Sequence, residues 1–80
     1  MNRHQENIIR RLQKACPDHI EDGNKYVFVR GRFDLEVEIM DGGMMQFTMA
    51  VTENGSRRMI GSLMKSRLTS VEWVVALLGE

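Results

Sequence analysis

The sequence predicts a single α+β domain of order α-β-β-β-β-α, in which one antiparallel β-meander carries both helices on one face. Three observations predict it. Residues 33–51 alternate: Phe33, Leu35, Val37, Ile39, Met45, Phe47, Met49 and Val51 are apolar, and Asp34, Glu36 and Glu38 stand between the first four. That period of two belongs to half-buried strands. Turn formers interrupt the pattern at Arg30-Gly31, Asp41-Gly42-Gly43 and Asn54-Gly55, the residue types of tight hairpins. Helix signatures stand near both ends of the chain.

In the first helix Ile8, Ile9, Leu12 and Cys16 recur at helical spacing, with Ala15 beside them. Asn2 is placed to cap it and Gln5, three residues later, to complete a capping box. Pro17 ends the helix at or just before Cys16. Arg3, Arg10, Arg11 and Lys14 fall mostly on other faces. Residues 18–25, DHIEDGNK, read as a loop rich in turn formers.

Residues 26–29 form the first strand. A two-residue Arg30-Gly31 turn pairs Phe28 with Phe33 and Tyr26 with Leu35, which groups four large side chains on one face. At the next turn a two-residue loop would set Ile39 against Gln46. A three-residue loop pairs Ile39 with Met45, Val37 with Phe47, Leu35 with Met49 and Phe33 with Val51. It keeps every apolar residue on one face and puts Gly43 at the left-handed bulge position. Asn54-Gly55 is the strongest hairpin signal in the chain, and it pairs Met49 with Ile60 and Met45 with Met64. The fourth strand, about residues 56–63, is weakly patterned and is expected at an edge.

The last segment carries a Thr69-x-x-Glu72 capping box, with Leu68 and Trp73 placed as a hydrophobic staple. Residues 71–78 contain one polar side chain, Glu72. A helix apolar all round needs cover on two sides, the sheet and either the first helix or another subunit.

Composition narrows the function classes. Eighty residues, 42% hydrophobic and 28% charged, make one globular domain. The formal net charge is zero, so no global field draws the chain to nucleic acid or acidic membranes. One cysteine, Cys16, forms no intramolecular disulfide, which suits a reducing compartment. The start, MNRHQENIIRRLQ, has no continuous apolar core of the signal-peptide kind. Residues 74–78 are far too short a run to span a membrane. A cytoplasmic domain is expected, and its size alone suggests a bacterial or phage source. Charge is nevertheless uneven: residues 1–17 net +3, residues 18–53 net −5, residues 54–68 net +4 and residues 69–80 net −2.

No set of residues assembles a catalytic site. Cys16-x-x-His19 has only His4 as a further histidine and no second cysteine, too few ligands for structural zinc. Gly42-Gly43 is followed by neither a helix nor a phosphate-binding lysine. No cofactor and no enzymatic activity are expected. The expected function is that of a small interaction domain, an adaptor or inhibitor binding a larger macromolecule. Its contact residues would be Asp34, Glu36 and Glu38, pointing to the helix-free face, with Met40 and Met44 exposed beside the Gly-Gly turn. One variant is a phage-encoded inhibitor of a nucleic-acid-handling machine, with the carboxylate row imitating phosphates. The alternative is nucleic-acid binding through Arg57, Arg58, Lys65 and Arg67, assisted by the first helix. A third reading is a homodimer that buries Val71, Val75 and Leu78 between C-terminal helices. No membrane partner is expected.

Overall fold

A computed structural model describes residues 1–65. Helix α1 (Arg3–Ala15) leads into five strands: β1 (His19–Asp22), β2 (Lys25–Arg30), β3 (Phe33–Ile39), β4 (Met45–Glu53) and β5 (Ser56–Lys65). They form one sheet in sequential order β1-β2-β3-β4-β5, every neighbouring pair antiparallel. The α+β class and the antiparallel meander are those the sequence predicts. The predicted second helix, with Leu68, Thr69, Glu72 and Trp73, lies outside the described residues, as do Val71, Val75 and Leu78 of the dimer reading. Among the described residues no helix is long and apolar enough to cross a membrane.

Local chemistry explains α1. The Asn2 side chain accepts from the Gln5 backbone at 2.8 Å, and the Gln5 side chain accepts from the Asn2 backbone at 2.9 Å. This reciprocal cap satisfies two donors that a helix start leaves open. Ile8, Ile9, Leu12 and Cys16 then pack on Tyr26, Phe28, Leu35, Val37, Met45, Phe47 and Met49 in one buried cluster. Each large side chain so buried contributes roughly 1.5–3 kcal/mol. α1 therefore covers the odd-numbered face of β3 and β4, and the face carrying Asp34, Glu36 and Glu38 has no helix over it among the described residues.

The β3–β4 hairpin has the predicted register at all four apolar pairs. Met40 N–H donates to the Met44 carbonyl at 2.9 Å, which leaves the three-residue loop Asp41–Gly43. Gly43 has φ +78°, and a Cβ there would lie 2.9 Å from the Asn2 amide nitrogen. The glycine thus serves both the turn and the approach of the α1 cap.

Three predictions are corrected. Residues 18–25 are not all loop: His19–Asp22 pair with β2, from His19 opposite Phe28 to Asp22 opposite Lys25. All four residues of β1 are exposed, so backbone hydrogen bonding holds this strand at the sheet edge and hydrophobic alternation does not mark it. The β2–β3 turn is Gly31-Arg32, not Arg30-Gly31, with Phe28 opposite Leu35 and Tyr26 opposite Val37. Gly31 has φ +60°, as the first central position of a type II′ turn requires. The two registers differ by two residues, so each side chain keeps its face. Finally, β5 follows the Asn54-Gly55 register only as far as Ala50 opposite Met59. A bulge then places Met49 opposite Gly61 and Met45 opposite Lys65. Leu63, not Met64, packs against the core, and Met64 is half exposed.

Candidate functional site

The helix-free face is laid out by strand register. Neighbours across the sheet share a face, so Ile20, Val27, Glu36, Thr48 and Ser62 form one row. Val29, Asp34, Ala50 and Met59 form the next, and Lys25, Glu38, Gln46 and Met64 another.

Charged groups in the middle of this face are already partnered. Arg57 donates from Nε to Asp34 Oδ2 at 2.9 Å and from a terminal nitrogen to Oδ1 at 2.6 Å, a two-pronged pair. The same guanidinium lies 3.8 Å from Glu36, and Lys25 reaches Glu36 at 3.4 Å. Lys25, Glu36, Arg57 and Asp34 thus alternate in sign across β2, β3 and β5. The hydrogen bonds that Arg57 donates to Asp34, reinforced by the charges of Asp34 and Glu36 against some desolvation, push the Arg57 pKa further up.

Arg57 has to cross a strand to make this pair. It stands opposite Thr52, and Asp34 stands opposite Ala50; β3 and β5 lie on either side of β4, about 9–10 Å apart. Ala50 is fully buried. Its methyl group leaves open the diagonal path from Arg57 to Asp34.

The predicted contact residues are placed unevenly. Asp34 is buried and tied to Arg57, so it is not a free surface carboxylate. Glu36 and Glu38 are half-buried on the same face. Met40 and Met44, expected exposed, are both half-buried because the loop folds back on α1, where Gln5 Nε2 donates to their carbonyls at 3.4 and 3.0 Å. The predicted basic set does not come together either. Arg57 lies on the helix-free face and Arg58 on the other, 3.9 Å from Glu53. Lys65 closes the far end of β5, and Arg67 lies outside the described residues.

Strand alternation alone puts Val27, Val29 and Met59 on this face, but sequence reasoning misses Ile20 and Met64 among its apolar members. Ile20 (62% exposed), Met59 (63%), Met64 and Val29 stand in the open on this face, with Ile60 exposed at the bulge. Ile20 was hidden by the reading of 18–25 as loop. Between Val29 and Arg57 the surface dips into an open hollow of about 280 Å³. Among the described residues no group of His, Cys, Asp and Glu is arranged to hold a metal ion.

Cys16 has a structural position. It is buried behind the end of α1, and its thiol donates to the Val29 carbonyl at 3.2 Å. Burial pushes the thiol pKa up; the Arg30 charge opposes this and Asp18 adds to it. The folded chain is therefore expected to resist alkylation at mildly alkaline pH and to react fast in urea. Because the folded pKa exceeds the unfolded one, this group's stabilisation is complete below the ordinary thiol pKa of about 8.5. It is lost as pH rises through the folded value. Equally fast alkylation with and without urea would show that the thiol is open to solvent.

Comparisons with family models, with curated proteins and with solved structures return no match for this chain.

Proposed function

We propose that this chain is a small non-enzymatic interaction domain that docks a larger protein partner on the helix-free face of its sheet. One observation carries the reading: Ile20, Val29, Met59 and Met64 stand exposed around a set of charges that already neutralise one another. Apolar side chains supply the gain from burial. Paired charges lose less on desolvation than free ones, and their side chains are already ordered. Because Asp34 and Glu36 are engaged by Arg57 and Lys25, the arrangement favours an adaptor-type contact over an inhibitor that imitates phosphates. The single cysteine suits work in the cytoplasm.

The experiment is a tagged pull-down from host lysate, with and without nuclease treatment, using the wild type and Ile20→Asp/Met59→Asp. Both positions are exposed, so the variant is expected to keep its fold, checked by circular dichroism. A discrete protein held by the wild type and lost with the folded variant supports the reading. Equal capture by both sinks it, and capture that disappears on nuclease treatment moves the function to nucleic acid.

A further inference from the structure

The arginine and lysine side chains of α1, which make no ion pair among the described residues, lie on the other side of the molecule. Arg3, Asn7, Arg10 and Lys14 follow one another at spacings of four, three and four along α1, which stacks them in a single stripe. The stripe lies opposite the buried Ile8, Leu12 and Cys16, with Arg11 flanking it on one side and Glu6 on the other. Its four residues and Arg11 are all exposed. At 1.5 Å per residue it runs about 16 Å. Arg57, Arg58, Arg32 and Lys25 are each within 4 Å of a carboxylate; among the described residues Arg3, Arg10, Arg11 and Lys14 are in no such pair. Arg30 is exposed close to the end of the helix, where its charge is felt at Cys16.

We infer that this ridge of α1 binds the phosphodiester backbone of double-stranded nucleic acid, as a second surface facing away from the sheet face proposed above. Charge complementarity selects a polyanion. The ridge's make-up selects which one. Protein interfaces depend on buried aromatic and apolar anchors, and the ridge presents none. Single-strand binders stack bases on aromatic side chains, and α1 has no aromatic residue. A duplex backbone needs neither, only cations and a narrow convex element, and a helix about 10–12 Å across meets a major groove about 12 Å wide. The distribution of charge assists. Asp22, Asp34, Glu36 and Glu38 share the opposite face with Lys25 and Arg57, so a chain of zero net charge is polarised and presents its helix to a polyanion. No side chain on the ridge is set against a base-reading partner, so binding is expected to be independent of sequence.

The test titrates the full chain against a short fluorescein-labelled DNA duplex by anisotropy, over a series of salt concentrations. Binding is expected in the non-specific range, Kd about 10⁻⁴–10⁻⁶ M. Log K should fall with log salt at a slope of about −3 to −4, from roughly 0.9 per phosphate neutralised by four cations. Arg10→Ala/Lys14→Ala should weaken binding at least about tenfold and flatten the slope by about 2. Lys25→Ala, on the sheet face, should change neither. Absence of binding at low salt, or an Arg10→Ala/Lys14→Ala variant that binds like the wild type, overturns the inference. An oligoglutamate peptide held as tightly as the duplex also overturns it and assigns the ridge to acidic protein. The purified components make this outcome independent of the lysate experiment on Ile20 and Met59.

Discussion

Gln5→Glu is expected to remove a large share of the fold's stability near neutral pH and to recover it in acid. Gln5 is 2% exposed, and both ends of its side-chain amide are in use. The oxygen accepts from Asn2 in the cap; the nitrogen donates to the carbonyls of Met44 and Met40 in the β3–β4 loop. Glutamate has nearly the same shape and keeps the acceptor. It replaces the donor with an anionic oxygen aimed at two carbonyl oxygens in a site closed to water. Burying a charge against its own kind costs about 3 kcal/mol or more. An 80-residue domain has roughly 4–12 kcal/mol in all. Protonation converts the carboxyl into a donor, so its pKa in the folded variant should exceed the unfolded value of about 4.3. The folded state then binds more protons than the unfolded one, and stability rises as pH falls. Urea midpoints of the variant at neutral and at mildly acidic pH measure this. Gln5→Ala, with no group to titrate, should lose less and show no such recovery. A Gln5→Glu midpoint equal to that of the wild type at both pH values would refute the arrangement.

Ala50→Leu is the second large effect, expected to cost about 2–6 kcal/mol. An isobutyl group would fill the lane by which Arg57 reaches Asp34. Overfilling alone costs about 1–3 kcal/mol, and a nearly buried carboxylate left without its guanidinium adds about 1–3. The second contribution distinguishes this explanation from simple crowding. In an Arg57→Ala background nothing has to cross β4, so Ala50→Leu should cost less there. The two substitutions are then coupled by about 1 kcal/mol or more in a double-mutant cycle. Full additivity in chemical denaturation would mean that the arginine does not depend on the small residue beneath it.

What could be read from the sequence was what a one-residue error would have spoiled. In β3 and β4 a slip of one turns Val37 and Phe47 to the wrong face, so their alternation specifies the register, and Gly43 agrees with it. The reciprocal use of Asn2 and Gln5 is equally local and equally readable. Burial does not penalise a slip of two, so apolar patterning alone accepts Phe28 opposite either Phe33 or Leu35; only the backbone demand at Gly31 separates the two registers. β1 has one apolar residue, Ile20, and its pairing rests on main-chain groups that carry no residue signature. The carboxylates of the candidate site were assigned to the correct face, but their pairing with Arg57 depends on contact between residues 23 apart. A signal for it was present. Ala50 is the one small residue among Gln46, Thr48 and Thr52 on that side of β4, and a small side chain in a row of larger ones invites the question of what passes over it.

The extra residue in β5 also bears on how this chain can change over generations. Upstream of it the strand is in one phase with β4, and downstream in the other. In the phase adopted, Leu63 points inward; in the opposite phase Ile60 and Met64 would do so. Both phases offer the interior large apolar groups, so β5 can be read in two frames, as few strands can. Closing the bulge with every residue kept would exchange one frame for the other, whereas losing Ile60, the extra residue, would close it with Gly61 still opposite Met49 and Leu63 still inward, and would leave the Asn54-Gly55 turn and the Arg57 crossing upstream undisturbed. The length of this strand is consequently free to shorten by one residue at the bulge with its inward face unchanged.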